Sequence, residues 1–362
     1  MSKRARRLRG EAETSAALPL QPVAITIGVK TIARPPADAD TQRVFPMHHI
    51  EIVSQLEPEH LSQLPRLIDA AAQIDGHEPL GEHKFLRLQR GDDLSAAVLA
   101  FEDGELAGYA HIVTYGADDE RRASCEFVVH PAFRRQGVGR MLLSQAIMNA
   151  NGQGAQQMDL WAYNDTHASQ HVAKQFGFTP ARRLLHLHRH MRGLLSAPAI
   201  AGATLRAMRP GIDDETLLAL NNRIFAGHPE NGQWTLADLR ARMAQPWFDP
   251  DDVLMVEMDG ALAGFCWLKI EDRANEGRVG EIYVIGTAPE CQGRGLGRHL
   301  LSSALLHLRE RRAEVAAIYV GESNEAAVSL YETSGFHYHH VDVCYSRGLS
   351  VAEAPLTVEA AA

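Results

Sequence analysis

Two short stretches carry the residues best suited to chemistry. "ECQGRGLGRHLL" sets Gly293, Gly295 and Gly297 around Arg294 and Arg298, and "FRRQGVGRMLL" sets Gly137 and Gly139 among Arg134, Arg135 and Arg140. Each follows an apolar run of strand type and leads into leucines at helical spacing. A glycine turn between a strand and a helix presents backbone N–H groups at the positive end of the helix dipole, which is a cradle for phosphate. Glycine is needed because a Cβ would keep the phosphate off the backbone. The arginines add guanidinium donors. No G-K-[ST] is present, so neither turn is a Walker loop. The spacing also lacks the third glycine of a dinucleotide fold and the acidic residue about 20 positions later.

The elements that must position these turns occur twice. "VLAFEDGELAGYAHI" (98–112) matches "VLMVEMDGALAGFCWLKI" (253–270) at an offset of 156. The glycine turns match at 158, Pro131 against Pro289, and "KQFGF" matches "ETSGF" at the same offset, Gly177 against Gly335. So long a period is a duplicated domain, not a solenoid. In each half a helical region (59–74; 213–225) precedes a hairpin turning at Asp103-Gly104 or Asp259-Gly260. There follow an apolar strand (125–129; 281–285), the glycine turn with its helix, a further strand (157–163; 315–320), a short helix and closing strands. The expected class is α/β, a mixed sheet flanked by helices in each half.

The pattern [RQ]-x-x-G-x-G, met at Gln292–Gly297 and Arg134–Gly139, resembles the pyrophosphate loop of GNAT-family acyl-CoA acetyltransferases. That resemblance implies two tandem acyl-CoA N-acyltransferase domains and acetyl-CoA as co-substrate. Acetyl transfer from a thioester to an amine needs a modest base, because an α-amino group titrates near 8. It also needs one acid for the leaving thiol, whose pKa is about 8.5. The second half supplies candidates for both. Glu281 opens the strand of "GEIYVIG", and Tyr331 stands in "SNEAAVSLYETSGF", similar to the N-x-x-A-x-x-x-Y element whose tyrosine faces the CoA sulfur in this superfamily. Aligned without gaps, Ala123 falls opposite Glu281 and Ala173 opposite Tyr331. Glu126 falls opposite Val284, and on an unbulged strand would face the other way. The C-terminal copy is therefore expected to be catalytic, and the N-terminal copy to bind acetyl-CoA without turning it over.

From about residue 48 to 349 the chain resembles the mycothiol synthase family, most specifically in "NNRIFAGHPENGQWT", "PWFDPDDVL", "GEIYVIG" and "YVGESNEAAVSLYETSGF". The resemblance implies transfer of acetyl to the cysteinyl amine of cysteinyl-glucosaminyl-inositol by direct attack in a ternary complex, the last step of mycothiol biosynthesis. It implies substrate contacts at Glu82, Glu230, Lys269, Glu281 and Tyr319. Reactive acetyl-CoA is implied at Ile285, Gly286 and Thr287, at Gln292, Gly293, Arg294, Gly295, Leu296, Gly297 and Arg298, and at Asn324, Glu325, Ala326, Ala327, Val328 and Ser329. A second, non-reacting acetyl-CoA is implied at Phe127, Val128 and Val129 and at Arg135, Gln136, Gly137, Val138, Gly139 and Arg140. A ligand contact from Glu82 would put the active site between the halves. The alternatives are a tandem acetyltransferase for another amine, such as an aminoglycoside or a peptide N-terminus, and an acyl-CoA sensor without turnover.

Composition agrees with an enzyme of two domains. Of 362 residues, 45% are hydrophobic and 22% charged, and the net charge of −9 argues against nucleic acid as a partner. The four scattered cysteines have no C-x-x-C spacing, which favours a reducing cytoplasm over a disulfide framework or zinc ribbon. No apolar run is long enough to cross a membrane, and Pro19, Gln21, Pro22 and Gly28 break the only stretch that resembles a secretion signal. The expected organisation is a flexible arm over 1–45, an N-terminal domain over 46–193, a linker over 194–203, a C-terminal domain over 204–349 and a flexible tail over 350–362, acting as a monomer. "HLHRH" (186–190) and "HYHH" (337–340) alternate histidines in a way that could make a metal face. Their equivalent positions in the two halves point instead to an exposed face of the closing strands, and no metal is expected.

Overall fold

The structure is a computed structural model and describes residues 49–81, 95–117, 120–193, 196–197, 199–227, 234–273 and 276–349. The arm over 1–45, Glu82, Glu230 and the tail over 350–362 lie outside the described residues. The N-terminal half comprises β1 (His49–Val53), α1 (Pro58–Asp75), β2 (Ser95–Glu102), β3 (Glu105–Tyr115), β4 (Arg122–Val129), α2 (Val138–Gly152), β5 (Gln157–Ala162), α3 (His167–Gln175) and β6 (Thr179–His190). The C-terminal half repeats the order with one helix more, α5, among the described residues: β7 (Ala203–Ala207), α4 (Asp214–Ile224), α5 (Leu236–Met243), β8 (Val253–Met258), β9 (Ala261–Arg273), β10 (Gly277–Thr287), α6 (Leu296–Glu310), β11 (Val315–Gly321), α7 (Glu325–Thr333) and β12 (His337–Gly348). The hairpins turn where the Asp-Gly pairs require it, with Asp103 and Asp259 at φ 49° and 52° and the glycines after them also left-handed.

The two expected sheets are one. Its order is β1-β2-β3-β4-β5-β12-β6-β11-β10-β9-β8-β7, nearly palindromic about its centre. Only β4–β5 and β10–β11 run parallel. Each half gives away its last strand. β12 lies between β5 and β6, and β6 lies between β12 and β11. The cores follow the strands: Val343 and Tyr345 of β12 complete the N-terminal core, and Leu187 of β6 enters the C-terminal one. Each such side chain stabilises by about 1.5–3 kcal/mol when fully buried. Polar contacts fix the exchange. The Tyr345 hydroxyl donates to Asp165 at 2.9 Å, Arg347 to the Phe176 carbonyl at 2.7 Å, and the Asn164 N–H to Asp342 at 2.8 Å.

Both parallel pairs part halfway. β10 and β11 are paired only from Val279↔Val315 to Ile282↔Ile318, and β4 and β5 only from Arg122↔Gln157 to Cys125↔Leu160. Beyond those points the glycine-turn ends of β4 and β10 have no strand neighbour on that side, so each half contains a V-shaped opening that points at its own glycine turn.

Candidate functional site

The two glycine turns share one backbone conformation. Gly293 and Gly295 lie at φ 73° and 80°, and Arg135 and Gly137 at φ 65° and 93°. The helices α6 and α2 then start from Gly295 and Gly137 with no side-chain cap. The first turn of each leaves orphan N–H groups at the mouth of its V, the arrangement suited to a pyrophosphate. Arg134, expected as a phosphate donor, is bound instead to both carboxylate oxygens of Asp75 at 2.7 Å and joins the turn to α1. The implied acetyl-CoA residues fall around the two openings. Ile285, Gly286 and Thr287 close the end of β10, and Asn324 caps α7 by accepting from the Ala327 N–H at 3.2 Å. In the other copy, Phe127 and Val129 stand 3.3 and 3.4 Å from where a Cβ on Gly139 would be, whereas Gly297 has only Leu330 at 3.8 Å. The C-terminal turn is the roomier of the two.

The halves differ in their bulges. β10 shifts register against β9 between Ile282 and Val284, so that Tyr283 is skipped, while β4 runs against β3 without a shift. The gap-free alignment is therefore corrected. Glu281 pairs with Lys269 and Ala317, and the residue occupying its place in the N-terminal sheet is Ser124, paired with Val113 and Asp159. Ala123 is one position off. The face expected for Glu126 is corrected for the same reason: two residues beyond Ser124 on an unshifted strand, it shares Ser124's face. There it accepts from the Gly81 N–H at 2.6 Å and from the Tyr163 hydroxyl at 2.7 Å, buried to 1% exposure. Ala173 does stand where Tyr331 stands, since α3 and α7 have the same length and begin 158 residues apart.

Lys269 and Glu281 lie in one cross-strand row that continues through Ala317 to His188, and Tyr319 pairs with His186 two positions along on the same face. Glu281 accepts from Arg273 at 3.2 Å, and Lys269 lies 3.3 Å from Glu271 and 5.3 Å from the centre of the Trp247 ring. The wall around Lys269 is aromatic. Trp247 packs on Trp267 and Tyr283, and Arg242 lies 4.0 Å over Trp234 and donates to the Tyr283 hydroxyl. Tyr319 exposes 38% of its surface while stacking on His186 at 4.0 Å; burial of the remainder, then the charge of Glu281, raises its phenol pKa.

Tyr331 occupies the opposite face. It is buried against Phe336, and burial together with the Cys266 thiol beside it pushes its phenol pKa well above the ordinary value. Cys266 pairs with Ile285, beyond the point where β10 and β11 part. The two expected proton-handling groups thus flank the V from its two sides.

Glu82 and Glu230 lie outside the described residues. Gly81 is held by Glu126, and Asn222 of α4 exchanges two hydrogen bonds with the Trp234 backbone, at 2.8 and 3.1 Å. Sequence reasoning missed two residues. Glu78, in the segment after α1, feels the charges of Arg273 and Lys269; its pKa is raised by burial and by Asp69 and partly restored by those cations. His77 approaches His340 at 6.5 Å between ring centres. An N-terminal segment therefore borders the C-terminal site. The implied Glu82 contact had pointed to this border; nothing in the sequence singled out His77 or Glu78. Arg273, the partner of Glu281, stands at a strand end and carries no motif.

The histidines correct a further expectation. His186 is 2% exposed, not on an exposed face, and its ring meets those of His188, His339 and His340 at 4.5, 5.6 and 4.4 Å. Burial and then His339 hold the His188 pKa down to about 3, and burial with His340 holds that of His186 lower still. All four cysteines are buried and none is in a disulfide. Among the described residues no helix is long and apolar enough to cross a membrane.

A V-shaped opening in a mixed sheet, aimed at an uncapped helix N-terminus and present twice, defines an acyl-CoA transferase fold. The acetyltransferase (GNAT) family model matches residues 62–178 and 217–336, and the chain belongs to that family. A tandem GNAT protein from the clavulanic acid biosynthesis pathway superposes with a TM-score of 0.63 at 17% identity, over 83% of this chain and 99% of that one. A GCN5-related N-acetyltransferase from Sphaerobacter thermophilus superposes at 0.59 and 22%, over 83% and 96%. Within the family the chain belongs with the mycothiol acetyltransferases. It is 44% identical to that of Thermobispora bispora, over 78% of this chain and 94% of the relative, and 39% identical to that of Streptomyces coelicolor, over 84% and 97%. It is an N-acetyltransferase, and its family takes acetyl-CoA.

Proposed function

We propose that the chain acetylates the cysteinyl amine of cysteinyl-glucosaminyl-inositol, giving mycothiol, and that the reaction takes place in the C-terminal copy. Identity of about 40% to mycothiol acetyltransferases along nearly their whole length supports the acceptor. The observation that carries the choice of copy is the bulged strand β10, which sets a carboxylate, Glu281, on one side of the V while Tyr331 lies on the other. Ser124 and Ala173 occupy the corresponding places of the N-terminal copy, and the carboxylate on Ser124's face, Glu126, is taken up by the Gly81 N–H and the Tyr163 hydroxyl. The acceptor amine approaches on the Glu281 face, where Glu281 removes its proton directly or through water. The lone pair of the neutral amine forms the new amide bond as the carbon–sulfur bond breaks; Tyr331, held protonated, gives its proton to the departing sulfur, and the surplus proton shed by the amide nitrogen returns to the Tyr331 oxygen. Lys269, Tyr319, Glu82 and Glu230 hold the hydroxyl-rich acceptor. The N-terminal V holds a second, non-reacting acetyl-CoA, and the chain acts as a monomer in the cytoplasm.

The test is release of free CoA thiol with cysteinyl-glucosaminyl-inositol, an aminoglycoside and a peptide N-terminus offered in parallel. Turnover confined to the first supports the acceptor; equal turnover with another amine removes it. Native mass measurement then counts acetyl-CoA per chain. Two molecules support the split between the copies, and one leaves the N-terminal turn without a ligand.

A further inference from the structure

We propose that His186, His188 and His339 form a binding site for a divalent transition metal, of the zinc class, at the seam where the two halves exchange strands. One ring nitrogen from each lies within 4.8 Å of the others. Imidazole nitrogens about 2.0–2.1 Å from a common Zn²⁺ would stand a little over 3 Å apart, so the triad closes when His339, now parallel to His188 at 3.9 Å, turns its ring toward the other two.

Two kinds of observation point to a ligand. The Nε2 atoms of His186 and His188 are both buried and have no hydrogen-bond partner, although His186 is all but enclosed. A buried polar atom without a partner is destabilising, and two in one cluster call for something that binds them. The second is the company they keep. His340 places Nδ1 3.2 Å from Nδ1 of His186. That hydrogen bond is the kind of partner that fixes the tautomer of a ligating imidazole. A carboxylate is within reach: Glu276 Oε2 lies 3.9 Å from His188 Nε2 and is itself buried without a hydrogen-bond partner. Arg273, a neighbouring cation, is offset by Glu281 and Glu276. His339 is exposed and gives the ion a way in.

Three imidazoles with an open fourth position suit Zn²⁺ by donor type, and neither Mg²⁺ nor Ca²⁺, which prefer oxygen. His186 and His188 come from β6 of one half and His339 from β12 of the other, so the ion would tie the exchanged strands together. His186 also stacks on Tyr319, which places the site at the border of the proposed acceptor pocket.

The test titrates the metal-depleted full chain with Zn²⁺ against a chelating indicator, beside His188→Gln and His339→Gln. One Zn²⁺ per chain is expected, with affinity lowered about tenfold or more in each variant. Thermal unfolding gives an independent reading. Zn²⁺ at 100 times its Kd should raise the wild-type melting temperature, through about 2.7 kcal/mol of binding linkage, and leave His339→Gln nearly where it was. His339 is exposed, so that variant should melt with the wild type when chelator is present. Absence of saturable binding, or binding that both variants retain in full, overturns the site.

Discussion

In the proposed mechanism Glu281 and Tyr331 divide the proton work, and their surroundings differ accordingly. Glu281 keeps 15% side-chain exposure and a guanidinium partner, whereas Tyr331 is enclosed by apolar core. Replacing Glu281 by Gln, or Tyr331 by Phe, keeps the shape and removes the proton. Each change should lower kcat by about 10²-fold or more while acetyl-CoA binds as before; steady-state kinetics with a binding titration reads both, and undiminished rates would discard the roles. The pH profile follows from the direction of the Tyr331 shift. Its pKa is raised, so the phenol remains a donor above neutral pH. The rate should climb as the acceptor amine loses its proton near pH 8 and then level, with no loss from ionisation of Tyr331 below about pH 10.

At the scale of elements, the turn before α6 makes two different demands on glycine. Gly295 lies at φ 80°, where a Cβ is strained by about 1–2 kcal/mol. Gly297 is inside the helix and a Cβ there would meet only Leu330 at 3.8 Å. Gly295→Ala should therefore melt earlier. Gly297→Ala should melt no earlier, yet lose acetyl-CoA affinity by tenfold or more if a phosphate needs that backbone; a calorimetric scan and a binding titration separate the two. The start of α4 shows a charge device. Asp213 is buried, accepts from Arg209 and Arg206 at 2.7–3.1 Å, and those bonds hold its carboxyl below the usual range. A depressed acid stabilises the fold above its unfolded pKa, and that stability is lost as pH falls toward the folded value. Asp213→Asn should cost on the order of 2 kcal/mol at pH 7 and progressively less below pH 4, measured as melting temperature against pH.

The whole molecule is held by exchanged strands. A fragment over residues 46–193 would carry β6 without its neighbours β11 and β12, and its core would lack Val343 and Tyr345. Such an edge is a template for aggregation. The isolated fragment should be insoluble and recover on co-expression with residues 204–349, and the intact chain should unfold in one calorimetric transition. Two separated transitions, or a soluble folded fragment, would contradict a shared core.

The order of elements was legible in the sequence, because hairpin turns, helix periodicity and the glycine turns are local signals. The duplication made each visible twice, and α1, α4, β5 and β11 fall within a residue or two of where the pattern sets them. The repeated glycine turn was legible too, and it led to the two side chains, Glu281 and Tyr331, that the fold sets on either side of the V. Which strand lies beside which was not. β6 and β12 have similar patterns and can pair either within a half or across halves, and only the packing of the complete sheet selects the exchange. The bulge at Tyr283 was equally hidden, since a one-residue register shift leaves composition unchanged, and it moved the counterpart of Glu281 from Ala123 to Ser124. Alternation in "HLHRH" and "HYHH" fixed which residues share a face but not whether that face is covered. The strand exchange brings the two runs together, and so decides that His186 is buried among imidazoles rather than open to water.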